Sequence, residues 1–441
     1  MTSPYRRRLF SVLLCAAVSI VWGCWIGHAG NAWLDFRGVY AGTRCLMHHH
    51  NPYNVEQLQR EYASEDGQRP PDAPNYLQAV VLYVNMPTTF IVVAPFAALS
   101  WGPAHILWML VTGCAFILAI LLMWSAGAAY APDVATLLAC ILAVNCESIF
   151  AAGNTAGMVV GFCGIAVWCF LKNRHVWLGV LLLGLSLAVK PHDSGFVWLY
   201  FLLAGKAYRR RALLSLVVTA SIAAASILWV SHVAPGWVHD WHANLSTISS
   251  QGGINEPGPN SLTGRSIYTV VDLQAAISIF RDDPRFYNIA AYAFCGSLLL
   301  PWSILTLRTP FSVSRAWLAL AVAVAFGLLI TYHRPWDAKL VMLAIPSCCI
   351  LWAGRGRLAR AAFFITGAAV LFAGDLSLAF VKTLADSMPS GTAGFGPRLV
   401  TLAFRRPEPV ALLAMGVFYL WIYARSSAAR AAPVAGSHLP A

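Results

Sequence analysis

Charge is scarce in this 441-residue chain: Asp, Glu, Lys and Arg make up only 11% of it, with 18 acidic residues against 30 basic ones. A soluble domain carries roughly 25% charged residues to cover its surface, so this composition excludes an ordinary soluble fold. With 59% hydrophobic residues and a mean hydropathy of +0.64, hydrocarbon must solvate much of the chain. Metal signatures are missing as well. No CxxC pair and no HExxH helix occur, and the run His48, His49, His50 lacks an acidic ligand cluster, so no metal centre and no cofactor are expected. The cysteines fall largely within apolar runs (Cys114, Cys140, Cys163, Cys169, Cys348 and Cys349), where they act as small hydrophobes. A long internal repeat is also absent, which speaks against a transporter built from duplicated halves.

What charge there is follows a pattern. Basic residues cluster in short loops beside apolar runs: Arg6 to Arg8, Lys172 with Arg174, Lys206 with Arg209 to Arg211, and Arg355 with Arg357 and Arg360. This is the signature of cytoplasmic loops and not of a nucleic-acid surface, so no nucleic-acid partner is expected. The fold class that follows is an all-α polytopic membrane protein, with an uncleaved N-terminal signal anchor whose N-terminus is cytoplasmic. Spans are predicted over 9–28, 84–100, 103–124, 133–150, 154–171, 176–190, 192–204, 212–233, 286–307, 315–332, 338–353, 359–380 and 409–424. If every one crossed, the basic loops at 172–174 and 205–211 would lie outside, against the charge rule. One segment must therefore be re-entrant, and 133–150, which runs into "NCESIFAAGN" with Glu147 and Asn154, is the expected one. Residues 1–424 then form one membrane domain with large extracytoplasmic loops at 29–83, 234–285 and 381–408, and 425–441 reads as a disordered cytoplasmic tail. The segment "IYTVVDLQAAISIF" within the second loop has helical apolar spacing and is expected to lie on the membrane surface.

Three polar groups gather on the outer side of this arrangement. Asp35 follows the first span at headgroup level, with Arg37, Tyr40 and Arg44 behind it. Asp35 and Arg37 are placed to pair, leaving Arg44 for an anion. In "GLSLAVKPHDSGF", Lys190 ends one span and His192 begins the next, which puts a compact cation beside a helix N-terminus, as a phosphate requires. In "TYHRPWDAKLVMLAIP", His333, Arg334, Asp337 and Lys339 crowd a short connection, an expensive arrangement unless it has a use. Tyr40, Trp241 and Trp336 are candidates to stack on sugar rings.

These stretches resemble a known family. "DFRGVYAGTRCLMHHHNPYN", "NMPTTFIVVAPFAALSWGPAHILWMLV", "GNTAGMVVGFCGIAVWCF", "GVLLLGLSLAVKP" and "YHRPWDAKLVMLAIP" are similar, in that order, to the motifs of glycosyltransferase family 87, over roughly residues 20–355. The resemblance implies a type C (GT-C) multi-span helical bundle with interfacial helices, in the bacterial inner membrane. It implies transfer of a hexose, mannose first, from a polyprenyl-phosphate donor to a hydroxyl of a glycan or glycolipid acceptor, with inversion and with Asp35 as general base. On that reading Lys190, Arg334, Lys339 and His192 bind the donor phosphate, and Arg37, Tyr40, Arg44, Asn154, His333, Trp336 and Asp337 bind substrate. Two motifs depart from the family: Gly153-Asn154 where many members have Gln after the glycine, and Pro335-Trp336-Asp337-Ala338 where many have Ser-Trp-x-His. The departures leave the donor sugar open. The other readings of the same pocket are a lipid-linked glycan transporter or flippase, and a glycan polymerase or ligase that draws on pyrophosphate-linked donors.

Overall fold

The structure is a computed structural model and describes residues 4–29, 33–64, 80–259, 261, 270–386 and 394–428. Among these residues no strand occurs. The chain opens with α1 (Pro4–Ala29), followed by three shorter helices, α2 (Leu34–Met47), α3 (Val55–Ser64) and α4 (Thr88–Ala97). A run of long helices follows: α5 (Trp101–Ala128), α6 (Pro132–Val144) continued by the short α7 (Glu147–Ala152), α8 (Thr155–Lys172), α9 (Val176–Val189), α10 (Pro191–Leu203) and α11 (Lys206–Val233). The second large loop contributes α12 (Trp237–Ser249) and α13 (Leu273–Ser278). Then come α14 (Pro284–Arg308), α15 (Val313–Ile330), α16 (Pro335–Ala338), a 3-10 segment (Lys339–Ala344) and α17 (Ile345–Ala353). The chain closes with α18 (Gly356–Phe372), α19 (Asp375–Asp386), α20 (Phe395–Arg405) and α21 (Pro407–Ala428).

Nine stretches among the described residues are long and apolar enough to cross a bilayer, which makes this a multi-pass membrane protein. Their burial sorts centre from rim: 83% of the apolar window of α8 and of α15 is enclosed by protein, against 22% for α1 and 17% for α11. The interior is welded by small residues. A Cβ on Gly161 would come within 2.6 Å of the Ala115 backbone and one on Gly164 within 2.9 Å of the Ala119 Cβ, so α5 and α8 approach as closely as glycine permits. Packing of this kind drives helix association where lipid removes the hydrophobic incentive.

Helix directions follow from the contacts and correct the expected re-entrant segment. Arg8 pairs with Asp133 at 2.8 Å, Ser19 accepts from the Cys146 backbone N–H at 3.1 Å, and the Trp33 N–H donates to the Ala151 carbonyl at 3.0 Å. The α6–α7 pair therefore runs parallel to α1 along its whole length and crosses wherever α1 crosses. The segment that stays on one face is 84–100 instead. α4 is only 10 residues long; the Thr88 hydroxyl at its start bonds the Ala188 carbonyl and the Leu99 carbonyl beyond its end accepts from Tyr40, both partners lying at the same end of the bundle. With α4 not crossing, the clusters at 6–8, 172–174, 206–211 and 355–360 all fall at the opposite end, as the charge rule requires.

Two further expectations need correction. The single span over 359–380 is broken: α18 and the start of α19 meet at 84°, around Gly374, where a Cβ would lie 2.6 Å from Asn145. The expected surface helix near 267–280 is the six-residue α13, and it is buried, with Gln274 donating to the Ile330 carbonyl at 3.0 Å. Residues 267–269 of that segment, the "RPPDAPNY" stretch and most of the expected tail lie outside the described residues.

Candidate active site

The two cations singled out in the sequence occupy equivalent backbone positions. Lys190 and Arg334 each immediately precede a proline, which disfavours helix at the preceding residue and is itself well placed at the first helical position. Lys190 accordingly sits at φ −141° between α9 and α10, and Arg334 at φ −120° before α16. Asn154 is the N-cap of α8, its side-chain oxygen accepting from the Ala156 N–H at 2.8 Å. Asp35 lies in the first turn of α2, whose entry is fixed by Trp33 in the left-handed region (φ 61°). Each of these groups is thus set by a helix start, where exposed backbone N–H groups favour negative charge.

They meet at one end of the bundle. Asn154 Nδ2 donates to Asp35 Oδ2 at 2.7 Å, and Lys190 Nζ donates to Asn154 Oδ1 at 3.2 Å and to Asp337 Oδ1 at 2.7 Å. The other Asp337 oxygen accepts from the Arg334 backbone N–H at 2.8 Å. The Arg334 guanidinium holds Tyr332 Oη at 2.7 Å, the Ile254 carbonyl at 2.6 Å and Asn255 Oδ1 at 3.1 Å, which fastens the second large loop over this turn. Residues 35, 154, 190 and 334–337, dispersed through the sequence, form one continuous network.

Electrostatics give the members different characters. Burial pushes the Asp35 carboxyl up from the ordinary carboxylate value, against the Asn154 hydrogen bond and the charges of Lys190 and Arg334, which pull it down. Burial also works against the Lys190 charge, but Asp337 and then Asp193 hold its pKa above that of a free lysine. Asp35 remains partly exposed and the Lys190 side chain 13% exposed, so both can be reached from outside the protein.

Next to this network an apolar cavity of about 620 Å³ opens between α1 and α5. Trp33 and the buried Phe150 line it, together with Trp25, Ile106 and Leu110, all well exposed. Its walls are hydrocarbon-like, and Trp33 and Phe150 are two and four residues from Asp35 and Asn154.

The family model for glycosyltransferase family 87 matches residues 83–351. The chain belongs to glycosyltransferase family 87. As a member of that family it is a membrane glycosyltransferase, which acts on a sugar donor and a glycan acceptor. No curated protein matches it. Asp35 precedes the matched residues, so its position in this glycosyltransferase rests on the geometry above.

Not every expected residue reaches the network. Lys339 is fully buried and bonds the Ala373 carbonyl and Asp375 Oδ1 (2.9 Å), so its ammonium clamps the α18–α19 break and is closed to a ligand phosphate. Arg44 is not left for an anion: it pairs with Glu61 at 3.6 Å and donates to the Ala97 carbonyl. Arg37 does not pair with Asp35 but lies 4.2 Å over the Trp101 ring. Tyr40 is buried, its hydroxyl on the Leu99 carbonyl at 2.8 Å, and Trp241 donates to the Val84 carbonyl. Arg44 and Tyr40 therefore brace α2, and a sugar ring has no face of Tyr40 to meet. His48 is bound to Glu61 at 3.0 Å, which breaks up the histidine run. Trp336 stays partly exposed beside Arg334, its ring 5.9 Å from the guanidinium carbon.

His192 and His333 both face Asp193, at 3.3 and 3.4 Å. An anion at either Nε2 would meet that carboxylate, which argues against a phosphate there. Asp193, Tyr332 and Asn255 are the residues the sequence reading missed. Asp193 was signalled by its place directly after "KPH"; nothing in the sequence links Asn255 to an arginine 79 positions away.

Proposed function

We propose that this glycosyltransferase moves a hexose from a polyprenyl-phosphate donor to a hydroxyl acceptor at the end of the bundle that carries Asp35, the extracytoplasmic face. The observation that carries the reading is the Asp35–Asn154–Lys190–Asp337 network, with Trp33, two residues before Asp35, in the wall of an apolar cavity between α1 and α5. A carboxylate held up by burial is a better proton acceptor than a free one. It faces a cation-rich turn suited to a phosphate, and the cavity offers an isoprenoid chain an apolar wall.

Asp35 takes the proton of the acceptor hydroxyl as that oxygen attacks the anomeric carbon. The bond from the anomeric carbon to the phosphate oxygen breaks, and the electron pair leaves with the lipid phosphate. Attack from the face opposite the phosphate inverts the anomeric centre. Lys190 has three ammonium N–H groups, two of them directed at Asn154 and Asp337. The third meets the phosphate oxygen as its charge grows, with Arg334 adding positive potential behind it. Asn154 orients the base, and Trp336 presents an aromatic face for the sugar. Mannose is the first donor to assay.

The test is Asp35→Asn, an isosteric change that keeps an acceptor oxygen in place. Transfer from a polyprenyl-phosphate sugar should fall by about 10²- to 10⁴-fold, the usual contribution of a positioned base. A correctly folded variant within a few-fold of wild type removes Asp35 from that role.

A further inference from the structure

Three residues outside the proton-transfer network converge at ion-pair distance without hydrogen-bonding one another. Asp193 is buried at the start of α10, with its side chain fully enclosed. Its Oδ1 is 3.3 Å from His192 Nε2 and 3.4 Å from His333 Nε2. Among the described residues neither Nε2 nor either Asp193 oxygen has a hydrogen-bond partner. The neighbouring Lys190 meets Asp193 through charge alone, since its hydrogen bonds go to Asp337 and Asn154. A buried carboxylate without a hydrogen bond is costly and calls for an explanation.

The distances suggest one. Zinc binds imidazole nitrogen and carboxylate oxygen at about 2.0–2.2 Å, and adjacent ligand atoms around a tetrahedral ion of that size are about 3.3–3.5 Å apart. Both His–Asp separations already have that length, and the three ligand atoms all lie within 4.8 Å of one another. A second feature prepares His333 as a ligand. Its Nδ1 lies 2.8 Å from the Thr331 carbonyl, which can only accept, so Nδ1 carries a proton and the neutral ring turns its Nε2 lone pair to Asp193 and His192. Ligating histidines are typically oriented in this way by a backbone carbonyl on the other ring nitrogen.

We propose that His192, Asp193 and His333 bind a divalent transition-metal ion, Zn²⁺ by preference for its imidazole–carboxylate set, with the fourth position on the partly exposed His192 side. The ion satisfies both Nε2 atoms and one Asp193 oxygen, and ties the start of α10 to the turn after α15, next to Lys190 and Asp337. The site is independent of the glycosyl-transfer reading, and its test uses no turnover.

Tag-free, full-length protein is stripped with a chelator and titrated with Co²⁺, whose visible absorption reports low-coordinate nitrogen and oxygen ligation, and then with Zn²⁺. Wild type should take up one Co²⁺ per chain with an intense visible band that Zn²⁺ abolishes, and Zn²⁺ should raise its melting temperature. His192→Ala, a change at a partly exposed side chain, should weaken binding by at least about tenfold and lose the thermal shift. His49→Ala/His50→Ala, at exposed histidines elsewhere, should bind as wild type does. Absence of a stoichiometric band in wild type, or His192→Ala binding as tightly as wild type, overturns the site and leaves a plain His–Asp–His cluster. Equal loss in the double variant also overturns it, by moving the ion to the histidine run.

Discussion

Asn154→Ser removes the amide donor at the proposed base, together with the longer Lys190–Asn154 bond, while Lys190 keeps Asp337. Serine is as good an N-cap as asparagine, so α8 keeps its start, while the Nδ2 donor 2.7 Å from Asp35 disappears. That donor stabilises the carboxylate and works against burial, which raises the Asp35 pKa. Removing it leaves burial less opposed, so the pKa rises further. A hydrogen bond to a charged group contributes about 1.5–3 kcal/mol, and about 1.4 kcal/mol corresponds to one pH unit, so the shift should be about 1 to 2 units. A general base works only when ionised, so activity is lost as pH falls through its pKa, and a higher pKa moves that loss to higher pH. The assay is the initial rate of sugar transfer from the lipid-phosphate donor in detergent, as kcat/KM between pH 4 and 9. The acid limb should move upward in Asn154→Ser, with the plateau above it retaining most of the wild-type value. A folded variant whose acid limb coincides with wild type refutes the assignment, because the limb then belongs to another group.

Three other outcomes follow from the same geometry. Lys339→Met should lower thermal stability by about 3–5 kcal/mol, because it strands the buried Asp375 carboxylate, and KM for the donor should stay near wild type; a large KM rise in a stable variant would return Lys339 to the phosphate site. Gly153→Ala forces a Cβ into the left-handed region (φ 64°), about 1–2 kcal/mol in itself, and to within 2.9 Å of the Phe36 Cβ. It should displace α2 and reduce kcat more than stability, as compared by turnover and thermal melts. His49→Cys and Arg210→Cys, both at exposed positions, should label from opposite faces of sealed vesicles with a membrane-impermeant maleimide, and labelling from the same face would contradict the helix directions.

The membrane class and the candidate polar groups were legible because composition and charge placement are written residue by residue. The crossing pattern was legible only as a parity conflict. Glu147 and Asn154 would be costly against lipid, which pointed to 133–150, yet the structure encloses both: Glu147 lies beside Lys339 and Asp375, and Asn154 bonds Asp35 in the candidate site. Segment 84–100 gave no such warning, since an apolar ten-residue helix reads the same whether it faces lipid or protein. At the site, local sequence could rank cations but not assign their partners. Lys190 and Lys339 look alike beside their spans. Long-range contacts separate them, one ammonium reaching Asn154 and Asp337 and the other sealed against Ala373 and Asp375.

The departures from the family motifs find a physical use in this arrangement. Asn154 is short enough to cap α8 and still reach both Asp35 and Lys190, whereas a glutamine at that position would have to give up the cap or shift the proposed base. Asp337 stands where the late motif varies, and one of its oxygens closes the start of α16 while the other holds Lys190. A single carboxylate thereby couples the position of the cation to the fold of the turn. Exchanging Asp337 for asparagine would keep the cap acceptor and remove the charge that anchors Lys190, so its effect should appear in donor KM before it appears in stability.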